Sequence, residues 1–361
     1  MTAPERRSPL LELHRELGAK LTEFGGWDMP LQYEGIVAEH NAVRGSCGIF
    51  DVSHLGKLRL RGAANVEALQ RAVTCDVTGL EVGSATYALV LNDDAGCIDD
   101  IFVYKITDTE ALAVPNASNV AAVAAAIEGS GGHPVDEWDR WAILALQCPG
   151  SNAMFESVFP GSAAPELKLH RWTEIDLAGG TGMVARTGYT GERGFELYVP
   201  AEVAADVFRR FLDVGVTPVG LGARDTLRLE MGYALYGHEL TLETDPLEAG
   251  LGWAIAWDAP FRGKEALERV KERGPARKLF GVRLSDRGVP RQGYPVLRGD
   301  ERVGEVVSGN FSPTLGVGIA LAYGDAAALP RAGEVVAIEA RGRRMKGDIV
   351  KPPFIQKQRS G

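Results

Sequence analysis

Apolar and polar positions alternate through "GKLRLR" at 56–61, the pattern of a half-buried strand whose successive side chains face opposite ways. Residues 64–73 switch to helical spacing. The runs "ATYALVLND" and "CIDDIFVYKI" then flank an Asp/Gly turn and predict a hairpin. "EALAVPNASNV" predicts a further strand ending at Asn116, with Ser118 placed to cap an Ala-rich helix that stops at "GSGG". "WAILALQCPGSNAMFESVF" predicts strand, turn and helix, and "TGMVARTGYTGERGFELYVP" two strands about a glycine-rich turn. "PAEVAADVFRRFLDVG" and "GARDTLRLEMGY" predict helices. Residues 258–277 are charge-rich and predict a solvated connector with a short helix pairing Glu265 and Arg269. Short strands between Gly and Pro turns fill the chain after 278. The layout is α+β followed by all-β, with no clear repeat.

Within this pattern "GCIDDIFVY", 96–104, sets two acids at the head of an apolar run. In a strand, Asp100 shares a face with Ile98, Phe102 and Tyr104, and Asp99 the other with Cys97, Ile101 and Val103. Two apolar faces predict a strand covered on both sides. An acid there needs a partner or a task. The plainer alternative is a strand-entry turn made by Asn92, Asp93, Asp94 and Gly96, with the acid still in water.

Composition narrows the classes. A chain of 361 residues predicts two or three domains, and 45% hydrophobic with 24% charged residues is globular. A formal net charge of −9 argues against a sequence-independent nucleic-acid binder, though not against a small anion held by one or two arginines. No apolar run reaches membrane-spanning length, and "MTAPERRSPLLELH" lacks the apolar core of a secretory signal. Cys47, Cys75, Cys97 and Cys148 form no C-x-x-C, and six scattered histidines suggest no zinc cluster; free thiols in a reducing cytosol are expected. "GLGARD" and "GVGIAL" both lack the third glycine of a dinucleotide fingerprint. Phosphate-loop and serine-hydrolase motifs are absent too. Cys47 has no identifiable base for a nucleophile's role, and His54, standing alone, is expected to be a structural hydrogen-bonder.

Seven strings in order carry a resemblance: "FGGWDMPLQY", "GIFDVSHLG", "GCIDDIFVY", "RTGYTGERGFE", "GLGARDTLRLE", "LYGHEL" and "SGNFSPTLG". Together the set resembles the T-protein of the glycine cleavage system, a tetrahydrofolate-dependent aminomethyltransferase, from about Leu10 to Phe354. "LYGHEL" departs from the family's usual Gln, with His238 in its place. The resemblance implies an α+β fold of three domains in a clover-leaf arrangement around a central folate cavity, with a C-terminal β-barrel-like domain. The expected divisions are 1–51 with 136–257, an inserted 52–135, the connector 258–277, and 278–361.

It implies, too, that an aminomethyl group on the dihydrolipoyl arm of a lipoylated H-protein passes its methylene carbon to tetrahydrofolate, giving 5,10-methylenetetrahydrofolate, ammonia and the reduced arm. Tetrahydrofolate is then the co-substrate, with no metal, NAD or flavin, no nucleic-acid partner and no membrane, in the cytoplasm. Asp100 matches the family's catalytic acid, leaving Asp99 for the turn or the opposite face, where Asp99→Asn is expected to matter much less. Glu196 matches the pterin-binding acid, with Glu192 as the local competitor. Tyr189 and Tyr87 match ring-packing positions, and Leu55 and Asn116 further pocket positions. Arg224 matches the folate-contacting arginine, although Asp225 or Glu230 are alternative partners; Arg228, at i+4, is able to share its helix face. Two other functions stay open: a folate-binding protein assisting iron–sulfur maturation, and a folate-dependent demethylase. The first typically has a Lys-Gly-Cys-Tyr-type motif that this sequence lacks, and many relevant amine-oxidising enzymes add a flavin domain.

Overall fold

A computed structural model describes residues 6–178 and 180–356. The first residues of the stretch weighed as a secretory signal, and the outer ends of the first and last expected domains, lie outside the described residues. The chain divides into two compact units. One comprises the residues up to Val90, Asp99–Arg224 and Ala256–Phe261; the other comprises Leu91–Ile98, Asp225–Ile255 and the chain from Arg262.

In the first unit a six-stranded sheet runs in the order Trp172–Leu177, Gly180–Ala185, Gly194–Pro200, Trp141–Gln147, Gly48–Asp51, Thr217–Val219. Its pairs are antiparallel except the last, which is parallel. The helix Ala204–Asp213 buries Ala204, Val207, Phe208 and Phe211, a stripe at i, i+3, i+4 and i+7. These join Phe155, Phe159, Phe195, Leu197 and Val199 in one apolar core. Phe195, Leu197 and Val199 face that core, so alternation sends Glu196 and Tyr198 to the opposite side of the sheet.

A five-stranded sheet is ordered Ala85–Leu91, Cys97–Thr107, Glu110–Val114, Leu58–Arg61, Val135–Asp136. The expected hairpin is present, and the helices Ala63–Ala72 and Val120–Gly129 stand where spacing predicted them. The strand expected to reach Asn116 stops at Val114, because Pro115 has no N–H for the ladder. Ser118 does not cap the helix. A turn of 3-10 helix, Ala117–Asn119, comes first, and the Ser118 hydroxyl goes to Asn119 Oδ1 at 3.2 Å.

The second unit contains a closed barrel ordered Arg277–Leu284, Val317–Asp325, Glu301–Ser312, Pro295–Arg298, Val335–Ala340, Arg343–Val350. Phe280, Val282, Val296, Val306, Ala320, Ile338 and Ile349 fill its core, and closure removes unpaired strand edges. The fold is α+β with a C-terminal barrel. Within the expected solvated connector the helix Lys264–Arg273 buries Ala266, Leu267 and Val270. Its i,i+4 ion pair joins Lys264 and Glu268 at 3.9 Å, one position before the expected pair.

The cysteines also differ from expectation. Gln147 and Gly48 are register partners on adjacent strands, which sets the next residues, Cys148 and Cys47, opposite each other. They form a disulfide, with Cα atoms 4.7 Å apart. A sequence separation of 101 hid a proximity that strand register creates. Cys75 and Cys97 take no part in a disulfide and are buried.

Candidate active site

The strand Cys97–Thr107 is covered on both faces, but unequally. Cys97, Asp99, Ile101 and Val103 are buried, whereas Asp100 and Phe102 on the other face are half-buried. Tyr87, on the neighbouring strand, donates its hydroxyl to Asp100 Oδ2 at 3.1 Å. Asn116 Nδ2 donates to Asp100 Oδ1 at 3.1 Å, to the Asp100 carbonyl at 3.1 Å and to Asp99 Oδ1 at 2.8 Å. Because Pro115 ends the ladder, the Asn116 N–H is left for Asp99 Oδ2, at 2.9 Å. Asn119 Nδ2 adds a third donor to Asp99, at 2.7 Å.

Asp99 is therefore not a turn residue in water. The turn lies upstream, where Asn92 Oδ1 accepts from the backbone N–H groups of Asp94 and Gly96. Asp99 is 0% exposed. Burial, then the neighbouring Asp100, push its carboxyl up to about 8, while bonds from Asn116 and Asn119 favour the charged form. The sequence signal for this was already there: an acid on a strand with two apolar faces has to be paired.

From Asp100 an aromatic row continues along the same face. Ring centroids are 6.1 Å apart for Tyr87 and Phe102, and 6.2 Å for Phe102 and Tyr104; His170 meets the edge of Phe102 at 5.7 Å. The Tyr104 hydroxyl accepts from Tyr198 at 3.0 Å and lies 3.4 Å from Thr187 Oγ1. Thr187 in turn donates to Glu196 Oε2 through a short bond. Burial foremost, then nearby Glu196, pushes the Tyr104 phenol upward, so it stays neutral. Glu196 is buried on the sheet face that alternation assigned to it. Glu192, its competitor, is held by Arg44 Nη1 at 2.7 Å.

Arg224 places its guanidinium 4.6 Å from the centre of the Tyr189 ring, a cation–π contact. Burial lowers its pKa, opposed by Glu196 and Tyr189, so these three groups share one neighbourhood. The alternative partners of Arg224 are engaged elsewhere. Asp225 takes Arg228 Nε at 2.9 Å and Asn310 Nδ2 at 2.9 Å, and Glu230 takes the hydroxyls of Ser312 and Thr314. Arg228, expected to be able to share the helix face of Arg224, has its guanidinium engaged by protein groups. It is 2% exposed and bonds Asp225, Glu239, the Tyr233 carbonyl and Ser308.

Leu55 is half-buried, and its neighbour Gly56 donates to the Pro115 carbonyl at 2.8 Å, which sets this loop beside the Asn116 segment. His54 is not the expected hydrogen-bonder: its Nδ1 is buried without a partner, and its ring packs edge-on against Phe24 at 5.2 Å. Burial, then Arg224, pushes the imidazole down to about 3. Among the described residues no group of three or more His, Cys, Asp or Glu is placed to hold a metal ion.

Tyr87, Asp100 and Asn116 thus form one cluster, and Tyr189, Glu196 and Arg224 another, with the aromatic row and Thr187 linking them. Sequence reasoning gave Asp99 only the turn or the opposite face and gave no role to Asn119 or Thr187. Asn119 and Thr187 stand within the quoted runs "EALAVPNASNV" and "RTGYTGERGFE", but their partners follow only from register and side-chain contact. The ensemble offers a half-buried carboxylate for a cationic centre, flat surfaces for rings, an acceptor for paired N–H donors, and a guanidinium for an anion.

Fold and similarity together put the chain in the class of aminomethyltransferases. It is 44% identical over 359 residues to the aminomethyltransferase of Halothermothrix orenii, covering 97% of this chain and 100% of that one. It is 45% identical over 356 residues to that of Mycobacterium tuberculosis, covering 96% of each. Among solved structures, the glycine cleavage system aminomethyltransferase T from Bartonella henselae matches with a TM-score of 0.90 at 33% identity, over 97% of this chain and 98% of that one. The GCVT N-terminal domain family matches residues 10–259, and the glycine cleavage T-protein C-terminal barrel domain family matches 277–356. The chain belongs to the glycine cleavage T-protein family. It is an enzyme, a tetrahydrofolate-dependent aminomethyltransferase.

Proposed function

We propose that aminomethyl transfer takes place at Asp100, with tetrahydrofolate lying along the aromatic row between Asp100 and Glu196. The observation that carries this reading is the row itself: Tyr87, Phe102 and Tyr104 join two carboxylates within one compact unit. Glu196 accepts the parallel N–H pair of the pterin, steadied by the Thr187 hydroxyl. Tyr189 packs on a ring of folate, and Arg224 meets the carboxylate tail. Leu55 and Asn116 wall the reacting end.

The second substrate is an aminomethyl group on the dihydrolipoyl arm of a lipoylated H-protein. N5 attacks its methylene carbon as ammonia leaves, N10 closes on the same carbon as the C–S bond breaks, the protons lost from N5 and N10 end on the ammonia and the freed thiol of the reduced arm, and 5,10-methylenetetrahydrofolate results. Positive charge develops on nitrogen as these bonds change. The Asp100 carboxylate stabilises it or relays the proton, and the bonds from Tyr87 and Asn116 fix the acid before the reaction begins.

The same reading keeps the expected domain divisions, supported by a sheet whose strands fall between Leu58 and Asp136 and a barrel that opens at Arg277. It keeps folate as co-substrate without metal, nicotinamide or flavin, and a cytoplasmic setting. No helix among the described residues is long and apolar enough to cross a membrane. The test combines the chain with tetrahydrofolate and aminomethyl-loaded H-protein and follows ammonia. Glu196→Ala is expected to weaken folate binding by about 1.5–3 kcal/mol, the range for a bond to a charged acceptor. A folded chain that releases no ammonia overturns the activity, and an unchanged folate Kd in Glu196→Ala removes that residue from the site.

A further inference from the structure

Gln147 ends the strand Trp141–Gln147 and is 1% exposed. It has no part in the transfer described above, yet its carboxamide is fully engaged. Nε2 donates to the carbonyls of Thr187 at 3.1 Å and Leu146 at 3.2 Å, and Oε1 accepts from Thr190 Oγ1 at 2.7 Å. Thr187 and Thr190 bracket Tyr189, and the Thr187 hydroxyl also bonds Glu196. The backbone here leaves room for this amide and nothing more. A Cβ on Gly188 would lie 2.1 Å from Gln147 Oε1 and 2.4 Å from its Nε2, and one on Gly194 would lie 2.1 Å from Nε2.

We propose that Gln147 is a positioning residue for the folate site, fixing Tyr189 and Glu196 through Thr187 and Thr190. The inference rests on the folate reading given above. Its chemistry is specific to glutamine. The site needs a donor for the Thr187 carbonyl and an acceptor for the Thr190 hydroxyl on one planar group. Glutamate supplies no donor when ionised, lysine supplies no acceptor, and asparagine is one methylene short. The turn that carries Tyr189 is thereby fastened to the middle of the sheet, while its far end is held by Arg44, which bonds the Thr190 carbonyl and Glu192 at 2.7 Å each. Tyr189 and Glu196 then meet folate already placed, without an ordering penalty on binding.

Calorimetry with tetrahydrofolate on the wild-type chain comes first, since a folded wild type that does not bind defeats the folate reading itself. Given wild-type binding, Gln147→Glu and Gln147→Ala, checked for folding by circular dichroism, are expected to raise the folate Kd and KM about 5- to 10-fold through loss of the ordered turn, with KM for H-protein unchanged. Gly188→Ala is expected to weaken folate binding by crowding the carboxamide, and adding Gln147→Ala to open the space and bring the Kd of the double variant below that of Gly188→Ala alone. Where a Gln147 variant fails to fold, Thr190→Val removes the hydroxyl with little change of volume and is expected to raise the folate Kd in the same direction. Folded Gln147→Ala, or Thr190→Val in its place, with folate Kd and KM within twofold of wild type overturns the proposal. So does a rise in KM for H-protein equal to that for folate, the mark of general loosening.

Discussion

Asp99 and Asp100 are adjacent in the chain, yet one is fully buried among three N–H donors and the other half-buried beside Tyr87. Asp100→Asn keeps the shape and removes the charge. Turnover is expected to fall roughly 10- to 1000-fold with a smaller change in folate affinity, because the carboxylate matters most as charge develops. Steady-state kinetics beside calorimetry separates the two, and a loss confined to affinity contradicts the assignment. For Asp99, burial among three N–H donors argues for a larger effect than the mild one expected from alternation alone. Above about pH 8, where the folded Asp99 is ionised, Asp99→Asn puts an NH2 among groups that are all donors, leaving one of them unsatisfied in the interior at a cost of about 1–3 kcal/mol, and the cost shrinks at lower pH, where the carboxyl itself holds a proton. Because Asn116 holds both acids, turnover should fall as well. Chemical unfolding and kinetics of Asp99→Asn check this, and wild-type values for both return Asp99 to a minor role.

The strand Cys97–Thr107 and the turn before Gly194–Pro200 were legible as elements, since alternation and glycine clusters act locally. What each element fastens to was not. Arg228 looked like a second ligand group at i+4 from Arg224, but the helix Leu221–Glu230 turns it toward Asp225 and Glu239. Arg228→Ala is expected to destabilise the fold by about 3–5 kcal/mol, the penalty for stranding buried partners of an ion pair, with the effect appearing in unfolding curves rather than as a selective loss of folate affinity. A selective loss of folate affinity at full stability would reinstate the ligand role. The strand pair Gly48–Asp51 and Trp141–Gln147 makes a second element-scale prediction. Protein unfolded without reductant after non-reducing purification is expected to titrate two thiols, Cys75 and Cys97, and four after reduction. With its cysteines separated by 101 in sequence, the crosslink contributes about 4.7 kcal/mol in the chain-entropy estimate. Four thiols before reduction would restore the free-cysteine expectation.

Stability of the whole molecule should depend on pH through groups the reaction does not use. Folded His54 takes its proton only near pH 3, whereas the unfolded imidazole takes it near 6.5. Between those values the unfolded state binds more protons, so this group removes stability as the pH falls from 6.5 toward 3. Asp51 is lowered to about 2 although burial opposes it, because bonds from His14, Ser53 and Ser8 favour its charge; its contribution is lost only below the ordinary carboxylate range. Asp99, raised to about 8, acts in the opposite direction: its folded form keeps a proton that the unfolded carboxyl gives up near 3.8, so its contribution is full below that lower value and is lost as the pH rises from there through 8. Comparing wild type with His54→Gln isolates the histidine. Wild-type stability relative to the variant should decline by at most about 1.4 kcal/mol per unit as the pH drops from 6.5 to 4. Parallel stability curves would rule this out.

The sequence by itself determined the α+β layout, the barrel-forming tail, the hairpin with its acidic pair, and the family motifs, because periodicity and short motifs are properties of neighbouring residues. Tertiary structure alone decided which acid is buried, which arginine lies over Tyr189, and which cysteines meet. These depend on strand register and on the stop that Pro115 imposes, which frees the Asn116 N–H for Asp99. The physical reason is range: a strand's alternation is written within a few residues, whereas the partner of a buried polar group is chosen by whatever packing brings within about 3 Å of it.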